Sequence, residues 1–354
     1  MLAIAIAGLL SGLVGAVLVL RAARTGRARM DVPDNRRLHD RATARGGGIG
    51  IIVAGAIALP FAQWWTPDSH DAYLLSVLIL AWATPNGFIG LTDDYFPLGA
   101  KFKLSLQLAA ACVAVALGLQ INTLHLAPFP ALELGFFAWP LSVLWLVWLT
   151  NVFNFMDGID GIASACGAIF FAGLAVVGVC SGAIGLAMIA AGVGASLLGF
   201  LILNRPPARI FMGDGGALSV GAVLGGTAVL LTRSSGGVSI AIPLIILGPF
   251  VFDATYTLLS RLARRQPILE AHREHLYQRL VTAGWSGTRV LILYMGLAAA
   301  SGLIALLFNR LSSLAQGLAW MSLAGCALGL IWLVRRAELR VTKATSPDEK
   351  DLNK

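Results

Sequence analysis

Apolar residues along this chain fall in long, almost unbroken blocks. They show neither the one-sided stripe of a soluble helix nor the alternation of a half-buried strand. Eleven blocks can be placed, near residues 2–20, 47–65, 72–92, 103–120, 137–152, 160–180, 184–203, 216–232, 238–259, 290–308 and 314–334. Most approach the roughly 20 apolar residues that carry a helix across a bilayer core. The pattern predicts an all-α integral membrane protein, a bundle of about eleven transmembrane helices forming one polytopic domain over residues 1–334. The basic stretch 335–354 reads as a disordered tail. Between the fourth and fifth blocks, residues 121–136 alternate apolar and polar positions around Pro128 and Pro130, which predicts a small external hairpin.

Composition removes the soluble alternatives. Of 354 residues 57% are hydrophobic and only 12% charged, with a mean hydropathy of +0.79. A water-soluble surface takes about a quarter of residues as charges. The net charge of +8 does not point to nucleic acid, because the cations are placed by topology. Of 26 Lys and Arg residues, 24 lie in segments 21–46, 93–103, 204–215, 260–289 and the tail after 334, and only Arg233 and Arg310 fall on the other side. The positive-inside rule then sets the N-terminus outside and the C-terminus in the cytoplasm. No basic residue precedes the first block, which reads as a retained span and not a cleaved signal. The four cysteines, Cys112, Cys166, Cys180 and Cys326, lie inside apolar blocks and read as packing residues.

Against this background the acids stand out. Asp93 and Asp94 follow the third block, in GFIGLTDDYFPLGAKFK, with Lys101 and Lys103 close behind. A helix C-terminus repels anions, so the pair calls for a cation. In NVFNFMDGIDG, Asn151, Asn154, Asp157 and Asp160 recur every three residues, which on a helix or helical turn keeps four oxygen-bearing side chains broadly on one wall. A third segment, NRPPARIFMGDGG, opens with Asn204, carries Arg205 and Arg209, and sets Asp214 among glycines before the eighth block. Hard oxygen ligands that face phosphate, with water filling the remaining positions, suit magnesium, with manganese as the second choice. The fourth segment, 260–289, holds His272, Arg273, His275 and Arg279, side chains fit for an anionic partner or for lipid headgroups. Asp253, near the end of the ninth block, reads equally as a functional and as a hydrogen-bonded structural acid. Arg45–Gly50 lacks the G-x-G-x-x-G spacing of a dinucleotide turn; its glycines serve either helix packing or anion contact.

Oxygen ligands and cations at membrane depth fit a phosphorylated lipid meeting a nucleoside diphosphate. A lipid phosphate is mostly dianionic at neutral pH, because its second pKa is near 6. What such a reaction needs is neutralisation and alignment of two anions, more than a strong base.

The runs GLTDDYF, NVFNFMDGIDG and NRPPARIFMGDGG resemble, in order, the motifs of the polyprenyl-phosphate N-acetylhexosamine-1-phosphate transferases. The family includes phospho-MurNAc-pentapeptide translocase and the lipid-linked GlcNAc-1-phosphate transferases. The resemblance implies transfer of a sugar 1-phosphate from a UDP-activated amino sugar to undecaprenyl phosphate, with UMP released and Mg²⁺ as cofactor. It further implies the bacterial inner membrane, a site facing the cytoplasm, membrane lipids as surroundings, and the homodimer as an open possibility. Carried over by position, Asp93, Asp94, Asp157 and Asp160 are the catalytic acids, and Asp214, with Asp94 and Asp157, the metal ligands. Asn151, Asn154, Asn204, Lys101, Lys103, Arg209, His272, Arg273, His275 and Arg279 are the candidate substrate-binding residues.

One departure matters. Where the family pattern reads H-x-H-H-R, this chain has His275-Leu276-Tyr277-Gln278-Arg279. That shifts the expectation from the peptidoglycan-type transferase toward initiation of O-antigen or another surface polysaccharide, with a 6-deoxy amino sugar as a candidate donor. A transporter or flippase for an anionic lipid or nucleotide is the competing class, although coupled transporters usually bind at the bilayer midplane and not at one face.

Overall fold

The computed structural model describes residues 29–31, 43–46, 48–64, 69–233, 237–270 and 272–345. The first apolar block, and with it the reading of a retained first span, lies outside those residues.

Among the described residues, the apolar blocks are helical. After two short strands, β1 (Arg29–Asp31) and β2 (Thr43–Arg45), comes α1 (Gly48–Trp64). One continuous rod then runs from His70 to Tyr95. It comprises α2 (Ser69–Ser76), a π-helical stretch over Val77–Ala83, and α3 (Thr84–Tyr95). Next come α4 (Ala100–Ala116), α5 (Ala138–Phe155), α6 (Ile162–Cys180) and α7 (Ile184–Asn204). The expected hairpin is present between α4 and α5, with β3 (Thr123–Leu124) paired antiparallel to β4 (Leu132–Glu133).

Beyond α7 the short strand β5 (Ile210–Phe211) leads into α8 (Gly213–Arg233). The ninth block is not one span. It is divided into α9 (Ala241–Ile246) and α10 (Gly248–Ala263), with Pro249 in the first turn of the second piece, where its missing N–H and its ring interrupt the ladder from α9. A short α11 (Leu276–Thr282) precedes α12 (Gly287–Phe308) and the 33-residue α13 (Ser313–Thr345). The last helix does not stop with its apolar block, so the basic stretch from Arg335 to Thr345 is helical where a disordered tail was expected.

Seven helices among the described residues are long and apolar enough to cross a membrane. The difference from eleven has identifiable sources: α1 and α4 have 17 residues each, about 26 Å of helix against a core of about 30 Å, the ninth block is divided, and the first lies outside the described residues.

The core gathers around α8, which is buried along nearly its whole length. Close packing there depends on glycine. A Cβ built on Gly48 would lie 2.2 Å from the Gly216 Cα, and one on Gly90 would lie 2.3 Å from the Asp214 carbonyl oxygen. Of the two readings of the glycines that open α1, Gly48 supports helix packing. These contacts press α1 and α3 against the start of α8. Strand β2 pairs antiparallel with β1 and parallel with β5, which draws the chain before α1 to the loop that precedes α8.

Candidate active site

Asp94 sits at the last turn of α3 and is buried. Its carboxylate is compensated by the start of another helix: Oδ1 accepts from the Asp214 N–H at 3.0 Å and Oδ2 from the Gly215 N–H at 3.1 Å. The positive end of the α8 dipole therefore offsets the negative end of α3. Cation demand was expected of both acids, but Asp94 is committed to backbone amides and in this arrangement acts first as a clamp between two helices. A Cβ at Gly213 would meet its Oδ2 at 2.6 Å, so glycine is needed for the approach.

Asp93 does face a cation. Its Oδ1 accepts from the Leu98 N–H at 2.6 Å and its Oδ2 from Lys103 Nζ at 2.9 Å. The same Nζ donates to Asp214 Oδ2 at 2.8 Å. Lys103 thus bridges two carboxylates 121 positions apart in the chain, and all three side chains keep 16–19% of their surface exposed. They remain reachable by a ligand. Lys101, two residues earlier on α4, points into the open.

The Asn–Asp ladder is only partly helical. The helix α5 ends at Phe155, so Asn151 and Asn154 lie on its last turns while Asp157 and Asp160 lie on the turn beyond. Asn151 turns inward, donating through Nδ2 to Gln107 Oε1 at 2.9 Å and to the Val147 carbonyl at 2.8 Å. Gln107 Nε2 in turn donates to Asn86 Oδ1 at 3.4 Å, a polar chain buried among α3, α4 and α5. Asn154 is half-buried. The Asp160 carboxylate accepts from the Ala208 N–H at 2.8 Å, so it fastens the second segment to the third. Asn204 has the same task. It is buried, its Oδ1 accepts from the Gly161 N–H and the Ser164 hydroxyl, and its Nδ2 donates to the Ile210 carbonyl. A role in contacting the nucleotide is corrected to one of holding the two loops together, because its hydrogen-bonding groups are already engaged inside the protein. Arg209, on the same loop, is exposed.

The fourth segment closes over Phe155 and Gly158. Asp253 of α10 is fully buried and accepts from the Leu276 N–H at 2.8 Å, the Tyr277 N–H at 3.1 Å and the Tyr294 hydroxyl. This fixes it as a structural acid that caps α11. His275 is buried as well, its Nδ1 3.3 Å from Asp253 and its ring stacked on Phe155, so it braces the loop and does not present itself to a substrate. Arg279 pairs with Glu338 of α13 through two contacts of 2.8 Å, which ties α11 to the last helix. Arg261 and Arg264 both bond Glu274. His272 is held down to about 4 by burial, with His275 and Arg261 adding repulsion, so it is a neutral imidazole at pH 7 and not a cation. Arg273 differs from Arg261 and Arg264 in that both its Nε and its Nη2 are buried without a hydrogen-bond partner among the described residues.

Four segments remote in sequence are therefore joined at one end of the bundle. Asp93, Asp94 and Lys103 meet Asp214, Asp160 and Asn204 tie the second segment to the third, and α11 packs on the second. Sequence reasoning missed Asn86 and Gln107, although both carried a signal as lone amides within apolar stretches. Tyr277 was legible only as a departure from a histidine pattern, without the contacts that it makes.

No group of three or more His, Cys, Asp or Glu side chains among the described residues is arranged to hold a metal by itself. Magnesium seldom requires one, since it is commonly bound by one or two carboxylates plus substrate phosphates and water. Asp93 and Asp214 supply two hard carboxylates already gathered about a single positive charge, a donor set that fits such an ion. Asp157 stands on the turn between Phe155 and Asp160, beside Tyr277, whose phenol is pushed well above its ordinary value by burial, then by Asp253 and Asp157.

A family model for glycosyl transferase family 4 matches residues 74–232. The chain is 36% identical over 273 residues to a probable undecaprenyl-phosphate N-acetylglucosaminyl 1-phosphate transferase of Bacillus subtilis (strain 168), covering 75% of this chain and 74% of that protein. It is 33% identical over 299 residues to the phospho-N-acetylmuramoyl-pentapeptide-transferase of Symbiobacterium thermophilum, covering 78% and 84% respectively. The same enzyme of Nostoc punctiforme is 32% identical over 313 residues, covering 82% of each chain.

Proposed function

Because the chain belongs to glycosyl transferase family 4, we propose that it transfers a hexosamine 1-phosphate from a UDP-activated N-acetylhexosamine to undecaprenyl phosphate, releasing UMP, at the end of the bundle where its acidic segments meet. The observation that carries this reading is the bridge Asp93–Lys103–Asp214. It gathers two carboxylates and one ammonium into a partly exposed position, next to a helix start that already binds one anion. A diphosphate approaching there meets Lys103, and Arg273 and Arg209 offer further guanidinium donors to phosphate oxygens. Magnesium, when bound, would be held by Asp214 and Asp93 and would neutralise the diphosphate.

Each residue then has a stated task. Asp94 holds the start of α8 against α3, so that Asp214 and Asp93 keep their separation. Asp160 and Asn204 hold the second and third loops in register. Lys103 keeps two carboxylates close without mutual repulsion and can exchange one of them for a phosphate oxygen. Alignment of the acceptor phosphate with the donor is the main requirement, since the acceptor dianion needs little activation by a base.

The reading extends to initiation of a surface polysaccharide such as O-antigen, with a 6-deoxy amino sugar among the donors, on the strength of Tyr277 and Gln278 in place of two histidines. A peptidoglycan-type reaction, with UDP-MurNAc-pentapeptide as donor, is the second reading, favoured by the relatives of that name. Membranes containing undecaprenyl phosphate, incubated with radiolabelled UDP-GlcNAc, UDP-GalNAc, their 6-deoxy counterparts or UDP-MurNAc-pentapeptide, distinguish them. Labelled lipid from the first group supports the proposal, and label from the pentapeptide donor alone replaces it with the second. Transport of label without UMP release would remove both.

A further inference from the structure

Tyr277 stands where the family pattern carries a histidine, and it is fully buried, so the phenol faces neither solvent nor an incoming substrate. Its hydroxyl donates to the Phe155 carbonyl at 3.0 Å, at the very end of α5. The next residues make the turn that carries Asp157. A Cβ built on Gly158 would lie 1.9 Å from the same hydroxyl, 3.0 Å from the ring Cζ and 3.3 Å from Gln278 Nε2. The turn is therefore pressed flat against this one side chain.

Tyr277 is itself held from behind. Its N–H and that of Leu276 are bonded to Asp253, which also receives the Tyr294 hydroxyl, and Asp253 is fully buried. The ring packs edge-on to Tyr294, with centroids 6.2 Å apart. A rigid path thus leads from α10 and α12 through the start of α11 to the turn after α5. On its far side the same turn is tied to the third segment through Asp160 and Ala208. We propose that Tyr277 is a positioning residue for the transfer reaction, its hydroxyl and Gly158 together setting where the turn carries Asp157 relative to Asp93, Lys103 and Asp214. The inference rests on the transferase reading of that site.

The test compares purified wild type with Tyr277→Phe, Gly158→Ala and the double variant in the radiolabelled transfer assay, with thermal unfolding measured alongside. Tyr277→Phe keeps the ring and removes the hydroxyl, and it is expected to lower kcat about tenfold while the donor KM changes less than about twofold. Gly158→Ala forces a methyl group into the hydroxyl and is expected to lower kcat about 100-fold. Removing the hydroxyl removes the nearest clash, so the double variant should recover at least about tenfold over Gly158→Ala. A folding defect alone would lower the amount of folded enzyme, seen in thermal unfolding, and leave kcat per folded enzyme unchanged. Tyr277→Phe with wild-type kcat, or a double variant no better than Gly158→Ala, would overturn the proposal in an active wild type. A wild type that transfers no sugar phosphate overturns the transferase reading and the proposal with it.

Discussion

Replacing Lys103 by Met removes the ammonium that bonds both Asp93 and Asp214 and keeps most of the side-chain length. Each carboxylate oxygen lies within 2.9 Å of Nζ, so the two oxygens are no more than about 6 Å apart. Two unit charges at that distance repel by about 3 kcal/mol at an effective dielectric of 20. The 16–19% exposure of the three side chains lets in water and salt, which reduces the net effect to about 1–2 kcal/mol. Folding stability in Lys103→Met is expected to fall by that amount, and Asp214→Asn in the same background should restore most of it, because one of the two repelling charges has gone. Activity should not be restored. Loss of a preorganised cation at a diphosphate is expected to lower kcat by about 10²–10³-fold, in both Lys103→Met and the double variant. Thermal unfolding in one detergent and sugar-phosphate transfer give the two readouts. Wild-type transfer by Lys103→Met, or additive stability losses in the cycle, would refute the account of Lys103 as a shared cation.

Other perturbations test neighbouring parts. Asp94→Asn keeps the shape but weakens the bonds to the Asp214 and Gly215 amides; stability is expected to fall by about 2 kcal/mol, read by thermal unfolding. Gly90→Ala puts a methyl group against the Asp214 carbonyl, with an expected cost of about 3 kcal/mol and loss of transfer. His272 is held at about 4 in the fold against an ordinary 6.5, so the unfolded chain takes up a proton first as the pH falls. Its contribution to stability is present above pH 6.5 and is lost as the pH drops toward 4, and His272→Gln should flatten that part of the stability profile.

The helices were legible because a block of apolar residues nearly long enough to span hydrocarbon has few other options, and the pairing of β3 with β4 was legible from alternation around Pro128 and Pro130. The division of the ninth block was not read, although Pro249 marks it, since hydropathy averages over a break. The candidate site was legible as a set of segments: acids at the ends of apolar blocks call for a cation, and Asp93 and Asp214 share Lys103. The individual assignments depended on direction, which spacing cannot supply. Asp160 carries the same carboxylate as Asp214, yet the first faces the Ala208 amide and the second faces Lys103. His275 and Arg279 looked like anion ligands by type, but Asp253 and Glu338, 22 and 59 positions away, had already engaged them.

Asp93, Lys103 and Asp214 are proposed to form a centre for moving a sugar phosphate between a nucleotide and a lipid. The most direct test is release of UMP, coupled one-to-one to labelled lipid, by purified wild type and by Asp214→Asn, each with magnesium and with excess chelator. Both products are expected from the wild type with magnesium, and neither from the chelated enzyme or from correctly folded Asp214→Asn. Undiminished turnover by Asp214→Asn would contradict the proposal.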